Sequence, residues 1–275
     1  MHRRTFVGLT ALALLGPARE QARGERLARV GFHLAGLGAA VGADPGDALR
    51  QIAGVGYRDV ELGALGSGAD PLTTRRLLER LGLSAPSRHV RMPDLFSNWR
   101  VLLRECQVLG TRHVVCGEIP QEQRATPDGY KRVADLLNPA GTITQGAGLQ
   151  LVLQPHADDF RPRGALVPYE YMLLNTDARL VKLQLDLSTL ARAGRDPLQE
   201  IARLGGRVVS LHLNDAAAGP AHTPVDLGAG QLDLPRILAR ARQAGVSHYF
   251  VNDHRRDAPW EYAMTGFAYL SQLEF

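Results

Sequence analysis

Gln51-Ile52-Ala53-Gly54-Val55-Gly56-Tyr57-Arg58-Asp59-Val60-Glu61-Leu62 is the stretch that decides the architecture. An amphipathic run ends in a Gly-Val-Gly turn, and the short apolar run that follows finishes next to an acid. The same order, helix then glycine then strand, recurs along the chain. Gly82 precedes 84–90, Gly110 precedes 113–117, Gly148 precedes 149–154, Gly205-Gly206 precedes 207–213 and Gly245 precedes 247–252. With 28–33, 58–62 and 181–187 there are eight short runs rich in Val and Leu, as expected of strands covered on both faces. Helical patterns at 47–53, 72–81, 98–109, 128–146 and 233–244 lie between them. The last has Pro235 in its first turn and Gly245 just past its end, the start and stop chemistry of a helix.

Eight such units in 275 residues predict an α/β fold, a single-domain (β/α)8 TIM barrel. A doubly wound open sheet is the alternative, but the first loop, Gly36-Leu37-Gly38, does not continue into the Gly-rich fingerprint of that fold. No linker, low-complexity tract or second domain interrupts the pattern. With 45% hydrophobic and 22% charged residues the composition excludes a disordered, collagenous or disulfide-stapled chain.

The formal charge of +4 belongs mostly to one segment. Residues 1–23 carry Arg3, Arg4, Arg19 and Arg23 against Glu20, which leaves the remainder at +1. Arg3-Arg4 is followed by an apolar run from Phe6 to Leu15 and then Gly16-Pro17-Ala18, the layout of a targeting peptide. Its start resembles a bacterial twin-arginine signal, so 1–23 is read as a signal peptide, 24–275 as the mature barrel and the periplasm as its destination. No run reaches the roughly 20 apolar residues of a membrane-spanning helix. Cys106 and Cys116 sit in a helical and a strand pattern and are expected to be buried thiols rather than a disulfide.

In such a barrel the chemistry gathers where the strands end. The eight runs end at His33, Glu61, His89, Glu118, Gln154 with His156, Asp186, His212 with Asn214, and Asn252 with His254. Side chains two apart on a strand share a face, so each of those pairs is expected to point together into the barrel mouth. Glu61, His89, Glu118 and Asn214 are candidate contacts to a small polar substrate, with Trp260 or Trp99 as a stacking ring. Arg161 and Arg163 are weaker candidates for an anionic group. His222 and His248 are assigned to surface or core.

Five pieces of the chain carry a family resemblance. They are 52–61, Ser87-Arg88-His89-Val90, Leu183-Gln184-Leu185-Asp186-Leu187, Ser210-Leu211-His212-Leu213-Asn214-Asp215 and Leu227-Gly228-Ala229-Gly230-Gln231-Leu232-Asp233. Together, across 27–272, they resemble the xylose-isomerase-like superfamily of sugar (phosphate) isomerases and epimerases, and the start of the chain is similar to that of exported members. The resemblance implies a small-molecule carbohydrate substrate and a divalent ion (Mn, Mg or Zn) held by Glu, Asp, His and a second Glu from strands five to eight, the two Glu also moving protons. Carried over, the Asp is Asp186 and the His is His212, but the Glu positions hold Gln154 and Asn252. An amide oxygen brings no charge and cannot act as a base. His156 and His254 are therefore the expected replacement bases or ligands, with imidazole pKa values near about 6.5.

The reading is a sugar or keto-sugar isomerase, epimerase or related lyase that abstracts a proton next to a carbonyl. A carbohydrate-binding barrel that has lost turnover is the second reading. A metal nuclease of the apurinic-site type is the third. The near-neutral mature charge and only two lysines, Lys131 and Lys182, argue against that one and against any nucleic-acid partner.

Overall fold

Gly31, Phe32 and His33 form strand β1, and they pair in parallel on both sides: with Asp59, Val60 and Glu61 of β2 (Asp59–Leu62), and with Phe250 and Val251 of the last strand. That double pairing closes a barrel. The computed structural model describes residues 24–41, 45–63, 70–219, 221–252 and 258–275, and the segment 1–23 read as a signal peptide lies outside them. After β2 come β3 (Ser84–Arg91), β4 (His113–Glu118), β5 (Gln150–Leu153), β6 (Val181–Asp186) and β7 (Val208–Leu213). A two-stranded ribbon, β8 (Asp215–Ala216) with β9 (Pro224–Val225), stands outside the barrel, and β10 (His248–Val251) completes it. All eight barrel strands are parallel, in the order expected of a TIM barrel.

The helices start where the sequence supplies an acceptor followed by proline. Asp70, Thr126, Asp196 and Asp233 each accept a backbone N–H from the first turn, and Pro71, Pro127, Pro197 or Pro235 follows within two residues. Trp99–Leu109 stops at Gly110, whose φ of 78° is left-handed. Gly56 (φ 125°) is required twice over, because a Cβ there would also collide with the Phe267 ring. Among the described residues four α-helices of six residues or more lie outside the helical patterns of the sequence: Pro168–Asn175, Leu187–Arg192, Pro197–Leu204, of which only the Asp196-Pro197 start is marked, and Pro259–Gln272. The sixth strand is shorter than expected for a related reason. Asp186 turns from strand to cap, and its Oδ1 accepts the Thr189 N–H at 2.8 Å, so Leu187 opens a helix.

Between sheet and helices lies a continuous apolar layer that includes Ile52, Tyr57, Val60, Leu102, Val114, Leu137, Leu151, Leu183, Leu211, Leu238 and Tyr262. The barrel interior is different. Ser87, Gln184 and Ser210 are fully buried yet polar, and Phe250 fills the space that a side chain at Gly31 would need. Both cysteines are buried free thiols, as expected. Among the described residues no helix is long and apolar enough to cross a membrane.

Candidate active site

At the C-terminal end of the strands a cavity of about 590 Å³ opens, walled by His33, His89, Gln154, His156, Asp186, His212 and Asn252, with Arg91 and Arg192 among its other lining residues. A second cavity of about 560 Å³ occupies the opposite end, between Arg26, Arg29, Asp59, Arg112 and His248. The strand-end groups converge only at the first, so the chemistry belongs there.

Beneath the cavity floor sits Glu61, with no exposed surface. Its Oε2 is 2.8 Å from His33 Nδ1 and 3.1 Å from His89 Nε2, and is in short contact with His212 Nε2. Its Oε1 accepts from Ser87 Oγ at 2.5 Å and from Gln184 Nε2 at 2.7 Å. Gln184 Oε1 in turn lies 3.0 Å from His89 Nε2. Burial alone would raise the Glu61 carboxyl, but the facing imidazoles hold it well below the usual carboxylate range. Burial pushes His33 the other way, down to about 4 despite Glu61. For His212 burial is outweighed by the carboxylates of Glu61 and Asp186, and its pKa rises to about 9.

The four positions that the resemblance picks out do come together, but on one another. Gln154 Nε2 and Asn252 Nδ2 lie 2.9 and 3.1 Å from His212 Nδ1, and Asp186 Oδ2 lies 3.7 Å from the same nitrogen. Asp186 also takes hydrogen bonds from Asn214 Nδ2 (2.8 Å), Asn252 Nδ2 (3.2 Å), Ser188 Oγ (3.1 Å) and the Thr189 N–H. Which end of each amide faces the ring follows the ring's protonation: a neutral imidazole with its proton on Nε2 accepts both amides, an imidazolium needs an oxygen there. Either way the charge of the quartet is one carboxylate already committed to capping a helix. These residues do not fit the divalent ion that the resemblance implies at this place.

Glu61 and the three imidazoles around its Oε2 make a different set. One ligand atom each from His33, Glu61, His89 and His212 lies within 4.8 Å of every other, an arrangement able to hold a metal ion.

His156 stands apart from both networks. Its backbone N–H donates to Asp159 Oδ2 at 2.8 Å, and Asp159 is steadied from its other oxygen by the Tyr130 hydroxyl at 2.8 Å. The ring Nε2 is buried and has no hydrogen-bond partner among the described residues. Burial lowers the imidazole pKa, offset in part by Asp159, so the ring is neutral near pH 7. Gly117 makes room for it: a Cβ at that position would sit 3.2 Å from His156 Nε2 and 3.0 Å from Gln154 Oε1.

Several expected contacts are placed elsewhere. Glu61 and Asn214 are buried and are not among the residues that line the cavity, and their polar atoms bond to neighbouring side chains and backbone. Trp260 packs against the hydrophobic core, and Trp99 is buried in it, so neither ring lines the cavity. Arg161 pairs with Asp158 on the surface at 3.2 Å. His248 lies at the far end of the barrel beside His113, and His222 is partly exposed against Gln231. His254 and the Glu118 side chain lie outside the described residues. Two members of the inner network, Ser87 and Gln184, are not among the candidates from sequence, and His33 is there only as a strand end. The signal that could have found them is strand parity, since Gln184 shares a face with Asp186 and Ser87 with His89.

Comparison with known proteins agrees with this geometry. The chain is 26% identical over 271 residues to the inosose dehydratase of Geobacillus kaustophilus, covering 82% of this chain and 86% of that one. The crystal structure of a sugar phosphate isomerase/epimerase from Parabacteroides distasonis superposes with a TM-score of 0.75 at 21% identity, over 94% of this chain and 97% of that one. The zinc-bound structure of the IOLI protein superposes with a TM-score of 0.66 at 14% identity, over 89% and 95% of the two chains. At these identities the two structures speak for the fold. The sequence pattern of the xylose isomerase-like TIM barrel family matches residues 49–273. On that match, and on a closed barrel of eight parallel strands with its polar groups at their C-terminal ends, the chain belongs to the xylose isomerase-like TIM barrel family.

Proposed function

We propose that this protein is a carbohydrate-modifying enzyme that removes a proton from the carbon next to a carbonyl of a sugar or cyclic keto-polyol, in an isomerisation, an epimerisation or an elimination of water. The observation that carries the reading is the His156 ring. It is neutral near pH 7, walls the cavity, and its Nε2 has no hydrogen-bond partner among the described residues. A neutral imidazole with a free nitrogen is a competent base in a family whose usual carboxylate bases are here Gln154 and Asn252. Those amides, with Asn214 behind them, fix His212 and Asp186, and they offer hydrogen bonds to hydroxyl groups without adding charge. Arg192, whose guanidinium touches only Thr189 Oγ1 at 3.3 Å among the contacts described, suits an electronegative substituent at the rim.

Among the three reactions, elimination is supported most by the relationship to an inosose dehydratase. The proton leaves toward His156, and the enolate expels the hydroxide on the next carbon, which departs as water once protonated. A barrel that binds carbohydrate without turnover is the second reading, favoured by the same two amides. A panel of ketoses and inososes separates them: conversion by the wild type and its loss in His156→Gln support the enzyme, whereas binding without conversion by either supports the binder. We further propose that residues 1–23 direct export to the periplasm, on the strength of the Arg3-Arg4 start and the apolar run behind it. A lysine pair at positions 3 and 4 should then retain the precursor in the cytoplasm.

A further inference from the structure

Three imidazole nitrogens point at one carboxylate oxygen. Glu61 Oε2 has His33 Nδ1 at 2.8 Å, His89 Nε2 at 3.1 Å and His212 Nε2 closer still. The other oxygen of the same carboxylate is already occupied by Ser87 and Gln184. A single oxygen does not seat three ring N–H donors well, and His33 displays the mismatch. It is 8% exposed, its Nδ1 is buried, and despite the 2.8 Å approach that nitrogen makes no hydrogen bond. A buried ring nitrogen is thus left without a partner, within 4.8 Å of the other three candidate ligand atoms.

The structure assigns these four side chains, we infer, to a divalent transition-metal site built from β1, β2, β3 and β7. It shares only His212 with the quartet on strands five to eight. Zinc bonds of about 2.0–2.1 Å to nitrogen and about 2.0–2.2 Å to oxygen require ligand atoms about 3.4 Å apart in a tetrahedron, so the His33 and His89 nitrogens need to move a few tenths of an ångström away from Glu61 Oε2 and the His212 nitrogen farther. Three imidazoles and one carboxylate favour zinc or a neighbouring transition ion over magnesium, which demands oxygen. The groups behind the ligands are also in place. Ser87 and Gln184 fix Glu61 from the far side, and Gln154, Asn252 and Asp186 surround the outer nitrogen of His212. Gln184 Oε1 would give up its contact with His89 Nε2. The two amides then have a reason: the site's anionic ligand is Glu61, and the positions that lost their charge support a ligand instead of being one.

The inference does not depend on turnover, since an inert barrel would hold the ion as well. The test is metal content after dialysis of full-length protein against micromolar zinc, read by elemental analysis, with cobalt substitution to read the ligand field by absorption. One equivalent is expected in the wild type. His33→Ala and His89→Ala should each weaken binding by more than about a hundredfold, whereas Gln154→Ala and Asn252→Ala should stay within the about 10–100-fold typical of groups behind a ligand. Circular dichroism checks that each variant is folded, and His33→Asn and His89→Asn replace any alanine variant that is not. A wild type that retains no zinc overturns the inference. So does zinc that survives loss of His33 and His89 but not loss of Gln154 and Asn252, which would put the ion on the quartet.

Discussion

Gln184 Nε2 donates to Glu61 Oε1 at 2.7 Å, joining the sixth strand to the second across the inside of the barrel. Neither residue has solvent-exposed surface, so the bond cannot be replaced by bulk water. Gln184→Leu leaves a buried carboxylate oxygen with Ser87 as its donor. A cost of about 2–3 kcal/mol is expected, about 4–12 °C in Tm for a chain of this size. Gln184→Glu, which sets a second buried carboxylate against the first, should cost more than Gln184→Leu. Paired thermal melts check the order.

Asp215 holds the loop that leads into the helix Leu234–Gln243. Its oxygens accept the N–H groups of Gly228 at 3.1 Å, Gly230 at 3.0 Å and Leu232 at 3.2 Å. A Cβ at Gly230 would collide with the carboxylate itself. Asp215→Ala and Gly230→Ala are both expected to destabilise by about 3 kcal/mol or more, one by orphaning these donors and the Ala216 N–H, the other by displacing the carboxylate from them. Urea unfolding midpoints give the measurement.

Stability should fall in mild acid through His113. Burial, with His248 beside it, lowers its pKa to about 4 in the folded chain. The unfolded chain has the ordinary value near 6.5, so between the two it binds a proton that the native state refuses. Folding free energy is therefore lost as the pH drops from about 6.5 to about 4, by up to about 3 kcal/mol from this group, and levels off below. His113→Asn should flatten that part of the profile relative to wild type. Unfolding by urea at pH 7 and pH 4.5 reads the difference.

Restoring the family's acids should expose what the amides now avoid. Gln154→Glu with Asn252→Glu places two carboxylates within reach of His212 and Asp186, in a wall with one carboxylate today. Without metal the double variant is expected to melt lower than wild type, by several kcal/mol of buried repulsion. Added Mn²⁺ should recover more of that loss than it adds to the wild type. Thermal shift with and without Mn²⁺ tests both halves.

The barrel was legible because its signals are local. Gly56, Gly82, Gly110 and Gly148 all adopt positive φ, and each precedes a strand, so a residue type and a backbone requirement coincide. The mouth was legible from strand ends for the same reason: His89, Gln154, Asp186, His212 and Asn252 all reach it. The division of labour inside it was not. Glu61 looked like a substrate contact because its position on the strand gives its direction and not its depth, and its partner His212 lies 151 residues away. Ser87 and Gln184 were passed over because an interior polar residue is ordinarily a satisfied one, and only the packed barrel shows whom they satisfy. Trp260, a candidate stacking ring by sequence, lies in the first turn of a helix and packs against the core.

In the proposed reaction His156 takes a proton from the carbon next to a carbonyl. Incubation of wild type and His156→Gln with keto-sugars and inososes in deuterated water, followed by NMR at that carbon, tests it most directly. Solvent deuterium should enter with the wild type and slow by about 10²–10⁴-fold in the variant. Equal exchange in both proteins, with the variant folded, would contradict the account.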